Sequence, residues 1–339
     1  MFALFIPLKD YFEVLKATNM KFIRQTGINV SSDLKECRTY MKKNHPDLLY
    51  QAKQKNGLLA LLQTLDAWTF IMVSVWATHI WMWLAPFSIV IMGFKQRLLN
   101  NIIHSASHHH NFNNRFYNDW HAQIFAALPL FDSIQAYRIQ HLTHHAFLGE
   151  IRDPDLIDCE VGGFKTNFMT ALWTIIFNRV RWKANFIGRV IGPSTQIKFS
   201  ILTWWLLFAL LLWVSVGSGF LTSFILLWFI SKATIYHTIN SFTELSDHGG
   251  LEPESTYSFS RTMPNNVLSR FTHPYGDTYH LAHHLFPDVN VNSLKFLHQK
   301  LLYFPKYEQS HHFKSFFFPP DALAASRIYR PKLTPTVDQ

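Results

Sequence analysis

Two stretches of this chain stay apolar long enough to cross a membrane twice each. From Ala67 to Phe94 there is no Asp, Glu, Lys or Arg, and the apolar character runs from Gly57 to about Ile103. A helix of about 20 residues crosses a hydrocarbon core of roughly 30 Å, so this stretch has room for two crossings. Trp81, Trp83 and Pro86 mark an interfacial turn between them. Asp66, inside the first crossing, is a costly departure. The second uncharged stretch, Phe199 to Ser231, lies between Lys198 and Lys232 and is broken by Gly217, Ser218 and Gly219, again the pattern of a helical hairpin. The expected fold is all-α integral membrane: four transmembrane helices in two hairpins, at about 60–80, 83–103, 199–216 and 219–240.

Charge orients this arrangement. Residues 1–56 are rich in Lys and Arg while both hairpin turns carry none, which places both termini on the cytosolic side. The chain divides into a cytosolic N-terminal segment (1–56), a membrane domain (57–305) and a cytosolic C-terminal tail (306–339), whose end, RPKLTPTVDQ, reads as extended. The start, MFALFIPLKDYFEVLK, lacks the basic region, long apolar run and small-residue site of a signal peptide. Hydrophobic residues make up 48% and aromatic residues 16%, rich for a soluble protein. The net charge of +9 comes from dispersed basic residues that flank apolar stretches, a distribution of membrane topology and not of nucleic-acid binding. Cys37 and Cys159 show no CxxC spacing, so neither a disulfide framework nor a thiolate metal site is expected, and a reducing compartment fits.

The chemistry lies in the histidines. Of 19, 14 fall between His104 and His284. HSASHH contains His104, His108 and His109; HLTHH contains His141, His144 and His145; HLAHH contains His280, His283 and His284. Residues at i, i+3 and i+4 share one helical face, so each cluster aims imidazoles at a common point. With 19 His in 339 residues, an HxxHH pattern arises by chance about 0.06 times, and two copies beside an HxxxH are far rarer. The first cluster follows the first hairpin and the third follows the second, so all three converge on one membrane face. Eight imidazoles exceed one metal's needs, since zinc sites use three or four protein ligands, so two metals are implied. Imidazole suits Zn, Cu, Fe and Ni alike, but hydrolytic zinc has little use in apolar surroundings, and iron with O2 fits better.

HxxxH, HxxHH and HxxHH separated by hydrophobic hairpins resemble the membrane fatty acid desaturase superfamily, which includes hydroxylases and alkane monooxygenases. The resemblance covers roughly residues 57–305 and extends to the flanks: HSASHHHNFNNRFYNDW, HLTHHAFLGEIRDPD and YGDTYHLAHHLFPDV. It implies a cytosolic helical cap over four spans, two Fe ions, O2 as co-substrate, and a ninth histidine just after the last span. In NSFTELSDHGGLE that ligand is expected to be His248, with His237 as the rival. In the stearoyl-CoA-type branch the ninth ligand follows an Asn by four positions, but here Glu244 stands four after Asn240. The expected metal ligands are therefore His104, His108, His141, His144, His145, His248, His280, His283 and His284. His109, His110, His121 and His273 are read as supporting or surface side chains. Asp153, Asp155, Asp247 and Asp277 are placed to accept ring N–H bonds or to sit as solvated loop carboxylates.

The resemblance implies hydrogen abstraction from an unactivated C–H bond, giving a double bond in a hydrophobic acyl chain. Hydroxylation of an alkyl chain or specialised metabolite is the alternative within the same chemistry. A histidine-rich membrane metal transporter is the alternative outside it, but its histidines would lie near the bilayer centre. No haem segment, CxxC cluster or nucleotide-binding glycine pattern is seen, so an external donor, ferredoxin or cytochrome b5, is expected.

Overall fold

A computed structural model describes residues 29–150, 152–155, 168–192, 194–251 and 253–316. Cys159, residues 1–28 of the N-terminal segment and the RPKLTPTVDQ end lie outside the described residues.

Helices α1 (Val30–Asn44) and α2 (Pro46–Ala52) lead into α3 (Gly57–Ile80). Asn56 starts α3 by accepting from the Leu59 N–H at 3.0 Å, satisfying one of the donors a helix start leaves unpaired. A short turn through Met82–Leu84 reverses the chain into α4 (Ala85–Ser107), with Pro86 in its first turn, where a missing N–H costs nothing. Thr78 Oγ1 donates to Ser88 Oγ at 2.7 Å, and Lys95 pairs with Asp66 at 2.7 Å. The opposite order of these contacts along the two helices makes α3 and α4 antiparallel, and the ion pair offsets the cost of Asp66.

A second pair repeats the plan. Helix α9 (Thr195–Val216) turns at Gly217, φ +87°, into α10, which continues from Ser218 to His248; the left-handed φ suits glycine. Phe208 meets Phe224 at 5.2 Å and Trp205 meets Phe229 at 5.4 Å between ring centroids, again antiparallel. The His79 ring lies 5.9 Å from that of Phe220, so both turns sit at one end of the bundle and the histidine-bearing ends at the other. Between the pairs, Trp68 stacks on Trp228. A π turn at Lys232–Tyr236 widens α10. Opposite it, a Cβ on Gly93 would lie 2.5 Å from the Ile235 Cβ, so a larger residue would push α4 and α10 apart.

Three of the described helices, α3, α9 and α10, are long and apolar enough to cross a membrane. Only 11% of the most apolar stretch of α9 is buried in protein, leaving Leu206, Leu207, Leu210 and Leu211 exposed. An apolar surface this continuous calls for lipid. Four such helices were expected. Helix α4 falls outside the three because Lys95, Gln96, Arg97, Asn100 and Asn101 interrupt it. These residues serve the interior: Gln96 Nε2 donates to the Trp228 carbonyl at 3.0 Å and Arg97 is buried, the usual placement of polar groups inside a bundle.

Around the histidine end pack α5 (Arg115–Ala122), α6 (Ile134–Ala146), α7 (Phe168–Ile176), α8 (Arg179–Ile187), α11 (Thr256–Phe259), α12 (Val267–Thr272), α13 (His280–Leu285), α14 (Leu294–Leu301) and α15 (Pro305–Glu308). Strands β1 (Arg261–Thr262) and β2 (His311–His312) pair in parallel. Cys37 and Met41 of α1 join Leu281, Leu285, Leu294 and Leu297 in a separate apolar core. Asp288 pairs with Arg38 at 2.7 Å and Lys53 at 2.6 Å, tying α1 and α2 to the segment after the third cluster.

Candidate metal centre

Helix α4 delivers the first cluster: His104 in its last turn and His108 as its C-cap. The end of this helix is held by Arg138 of α6, which donates to the Ser107 and Ala106 carbonyls, both at 2.9 Å, and pairs with Asp119 at 2.5 Å. Asn118 adds a bond to the Ala106 carbonyl at 2.9 Å and accepts from the Asn111 N–H at 3.1 Å. Asn118 and Arg138 thus satisfy carbonyls a helix end leaves open, and Arg138, held by Asp119, joins α4 to the helix of the second cluster.

That second cluster occupies the last turns of α6, with His141, His144 and His145 on one face. The third fills α13, with His280, His283 and His284 buried. His248 ends α10, where buried Arg261 donates to the Ser246 carbonyl at 2.8 Å and the Gly249 carbonyl at 2.5 Å. Arginine therefore caps both long helices that bring histidine to the centre.

The structure brings all nine expected residues together in two sets. His104, His108, His141 and His283 form one four-nitrogen group and His144, His248, His280 and His284 the other, the ligand atoms of each lying within 4.8 Å of one another. His145 adjoins the first, its Nε2 lying 3.1 Å from that of His141 and 3.0 Å from that of His283, with its ring 4.4 Å from that of His284. Other Nε2 pairs stand 3.0 Å apart (His104–His283), 2.9 Å (His108–His141), 2.8 Å (His248–His280) and 2.9 Å (His280–His284). Burial pushes the imidazoles of His141, His145, His280, His283 and His284 well below their ordinary range, so they are neutral. Neutral imidazoles have lone pairs to offer, and metal–nitrogen bonds of roughly 2.0–2.1 Å put ligand atoms at right angles about 2.9 Å apart. The donor set fits two metal ions.

Carboxylates support the rings from behind. His144 Nδ1 stands 2.8 Å from Asp153, whose other oxygen accepts from the Gly149 N–H at 2.8 Å. Burial lowers the pKa of His144, but Asp153 outweighs it and raises the value to about 9; the same negative charge strengthens a bond from Nε2 to a metal. His144, Asp153 and Asp155 also form a cluster of their own on the Nδ1 side of the ring. His248 Nδ1 donates to the Phe259 carbonyl at 2.7 Å. His104 Nδ1 lies 3.5 Å from Asp277, and His280 Nδ1 lies 3.8 Å from Asp247. Asp155 is 3.6 Å from His144 and accepts from Gln140 Nε2 at 3.2 Å.

The remaining histidines stand apart from the two groups. His237 Nε2 donates to the Ile176 carbonyl at 2.8 Å and its Nδ1 accepts from Asn185 at 2.9 Å, so both nitrogens of the rival ninth residue are engaged elsewhere. His121 meets Thr64 at 3.0 Å, His273 meets Asp247 at 3.2 Å, and His109 sits in a left-handed turn 3.6 Å from Asp119. Buried His110 stacks on His108 with ring centroids 5.3 Å apart.

Sequence reasoning missed the arginines. Buried Arg97 donates to Asp277 at 2.6 Å and to the Thr272 carbonyl at 3.0 Å, linking α4 to the turn that precedes α13. Its signal was its spacing, seven residues before His104 on the same helical face. Arg138, three before His141, carried a similar signal; Arg261 carried none. A cavity of about 330 Å³ opens beside His141, between α4, α6, α8 and α10.

Paired histidine sets at the ends of helices apolar enough to cross a membrane form a candidate metal centre. A family model described as fatty acid desaturase matches residues 78–315, and the chain belongs to that family. It is also 30% identical over 230 residues to dihydrorhizobitoxine desaturase of Bradyrhizobium elkanii, a match covering 61% of this chain and 64% of that relative. The alignment thus spans slightly less than two thirds of the relative's length.

Proposed function

We propose that this chain is a membrane-embedded desaturase that holds two irons and uses O2 to convert a saturated carbon–carbon bond into a double bond. The observation that carries the reading is the pair of converging histidine groups. His104, His108, His141, His145 and His283 would hold one iron, and His144, His248, His280 and His284 the other. Bound there, the irons supply an oxidant able to take hydrogen from an unactivated C–H bond. Over one turnover, O2, two electrons and two protons together with the two hydrogens removed from the substrate give two waters. The electrons come from an external donor of ferredoxin or cytochrome b5 type.

The chain's part is positional. Arg138 and Arg261 fix the two helix ends, Asp153 and the Phe259 carbonyl fix ring orientations, and the Arg97–Asp277 pair sets His104 against α13. Such support matters because misplacement by about 1 Å can cost 100-fold in rate. Helix α4 completes a four-crossing topology with both termini cytosolic, its polar residues covered by α3 and α10. The relative's name and the family support desaturation.

Iron content, O2 consumption and product mass in the purified, reduced protein test this reading. Two irons per chain and a product lighter by two hydrogens are expected. A protein that consumes no O2 when iron-loaded would overturn it, and a product heavier by one oxygen would make it a hydroxylase.

A further inference from the structure

Residues 112–131 lead from the first cluster to α6, and their contacts with α3 set their level. The Phe112 ring covers Gly57, where an added Cβ would come within 2.6 Å of it. His121 meets Thr64 at 3.0 Å, and the Phe125 carbonyl accepts from Trp68 Nε1 at 2.9 Å. The partners advance along both segments together, so α5 and the π turn Gln123–Ala127 run beside α3 from Gly57 to Trp68, about 16 Å at 1.5 Å per residue. At the far end the Phe131 ring lies 5.5 Å from that of Trp205 and 5.7 Å from that of Phe229. Trp68, Trp205 and Phe229 each stand twelve positions from the turn end of their helices, counted from Ile80 or Gly217, or about 18 Å. Thr64 stands about 24 Å and Gly57 about 34 Å from that end by the same rise. A hydrocarbon core of roughly 30 Å reaching up from the turns would therefore take in the chain from His121 to Phe131 and leave Phe112 among the headgroups.

The two faces of this segment suit that depth. Phe116 is 68% exposed, Tyr117 58%, Trp120 50% and Phe125 37%, beside exposed Leu61 and Leu65 of α3. Such a face, continuous with that of a crossing helix, calls for the same lipid. The polar side chains turn the other way: Asn118 donates to the Ala106 carbonyl, Asp119 pairs with Arg138, and His121 meets Thr64. Irregular backbone is tolerated at membrane depth only where protein covers it. Here Ala126, Ala127, Leu128 and Leu130 are buried. The Phe131 and Asp132 N–H groups donate to the Leu128 and Ala127 carbonyls at 3.1 and 2.8 Å, and the Phe131 carbonyl accepts from the Arg189 N–H at 2.8 Å. Arg115 at the start of α5 acts on Lys55, just before α3, which sets two cations at the level where anionic lipid headgroups attract them.

We propose that residues 112–131 form a re-entrant segment that enters the leaflet on the histidine side, beside α3, and turns back about half way across the bilayer. Phe116 and Tyr117 lie at its headgroups and Trp120 and Phe125 against its acyl chains. The proposal rests on the reading of α3 as a crossing helix. It makes α5 a link between lipid and the metal centre, since the helix that meets lipid on one face holds the end of α4 on the other.

Nitroxide labels at Phe116→Cys, Trp120→Cys and Phe125→Cys test it, in the full chain carrying Cys37→Ala and Cys159→Ser and reconstituted in phosphatidylcholine–phosphatidylglycerol nanodiscs. Collisions are measured with O2, which concentrates in lipid, and with a polar nickel chelate, which stays in water. Leu65→Cys gives the lipid reference and Lys42→Cys the water reference. The oxygen-to-nickel ratio should rise from 116 to 120 to 125 and at 125 reach that at 65. Trp120, half exposed, decides alone if the Phe125 variant does not fold. Ratios at 120 and 125 equal to that at 42, with 65 still lipid-like, would overturn the proposal and spare the crossing of α3. Labels shielded from both reagents would put protein against this face and overturn it too, and nickel access at 65 would defeat the reading of α3 together with the proposal.

Discussion

The two histidine groups differ in how they are held. His144, His248, His280 and His284 are all buried, with Asp153, the Phe259 carbonyl and, at longer range, Asp247 behind three of the rings. In the other group His108 and His141 are only partly buried, one ring, His104, has a carboxylate behind it, Asp277 at 3.5 Å, and the cavity opens beside His141. One group is closed and backed at three rings, the other open and backed at one. A centre that held metals as proposed and also admitted a substrate would gain from this division, because rigidity and access make opposite demands on the same side chains.

Removing a ring should have the largest effect. His284→Ala in the closed group and His141→Ala in the open group should each drop turnover below detection. Iron counts separate them: loss of both ions is expected in His284→Ala, and retention of one in His141→Ala. Equal iron loss would erase the asymmetry.

Next comes the brace beneath the open group. Arg97→Met leaves Asp277 buried without its cation, and breaking such a pair costs about 3–5 kcal/mol. Thermal unfolding in detergent should show the loss, and an unchanged Tm would show that Arg97 does not anchor α13.

Asp153→Asn tests the closed group more gently. Removing a carboxylate behind a ligating imidazole costs about 10–100-fold in metal affinity or activity. Iron titration should detect this, with a fall in Tm of the iron-loaded protein to match the lost binding free energy; full affinity would mean that packing alone orients His144. The smallest effect belongs to His237→Gln, which keeps two irons and most turnover because both ring nitrogens already bond to Ile176 and Asn185.

Much of this centre was legible because its chemistry is local in sequence. HxxHH puts imidazoles on one face whatever the surroundings, so His141, His144, His145, His280, His283 and His284 could be named before any fold was known. His248 was legible only through resemblance, since nothing in the spacing of a single histidine marks it. The supports were hidden for the opposite reason. Arg97 reaches a carboxylate on a segment 180 positions away, and Arg261 caps a helix end 15 positions before it, so their partners emerge only once the chain is folded. Helix α4 stands outside the three long apolar helices because its polar residues face protein, a placement that hydropathy alone does not show, and the cavity beside His141 was hidden because its walls come from four separate helices.

The nine histidines come from four stretches of chain, the widest gap lying between His145 and His248. Two ions bound as proposed would act as cross-links that close three loops at once. Closing a loop costs entropy that rises slowly, by about 0.6 kcal/mol for each doubling of length, so even the widest gap is inexpensive to span once a metal bridges it. Ligand binding stabilises by mass action, about 2.7 kcal/mol at a hundredfold excess over Kd, and that free energy is unavailable to a chain without metal. Iron supply would then govern how long the histidine end survives proteolysis as well as whether it turns over.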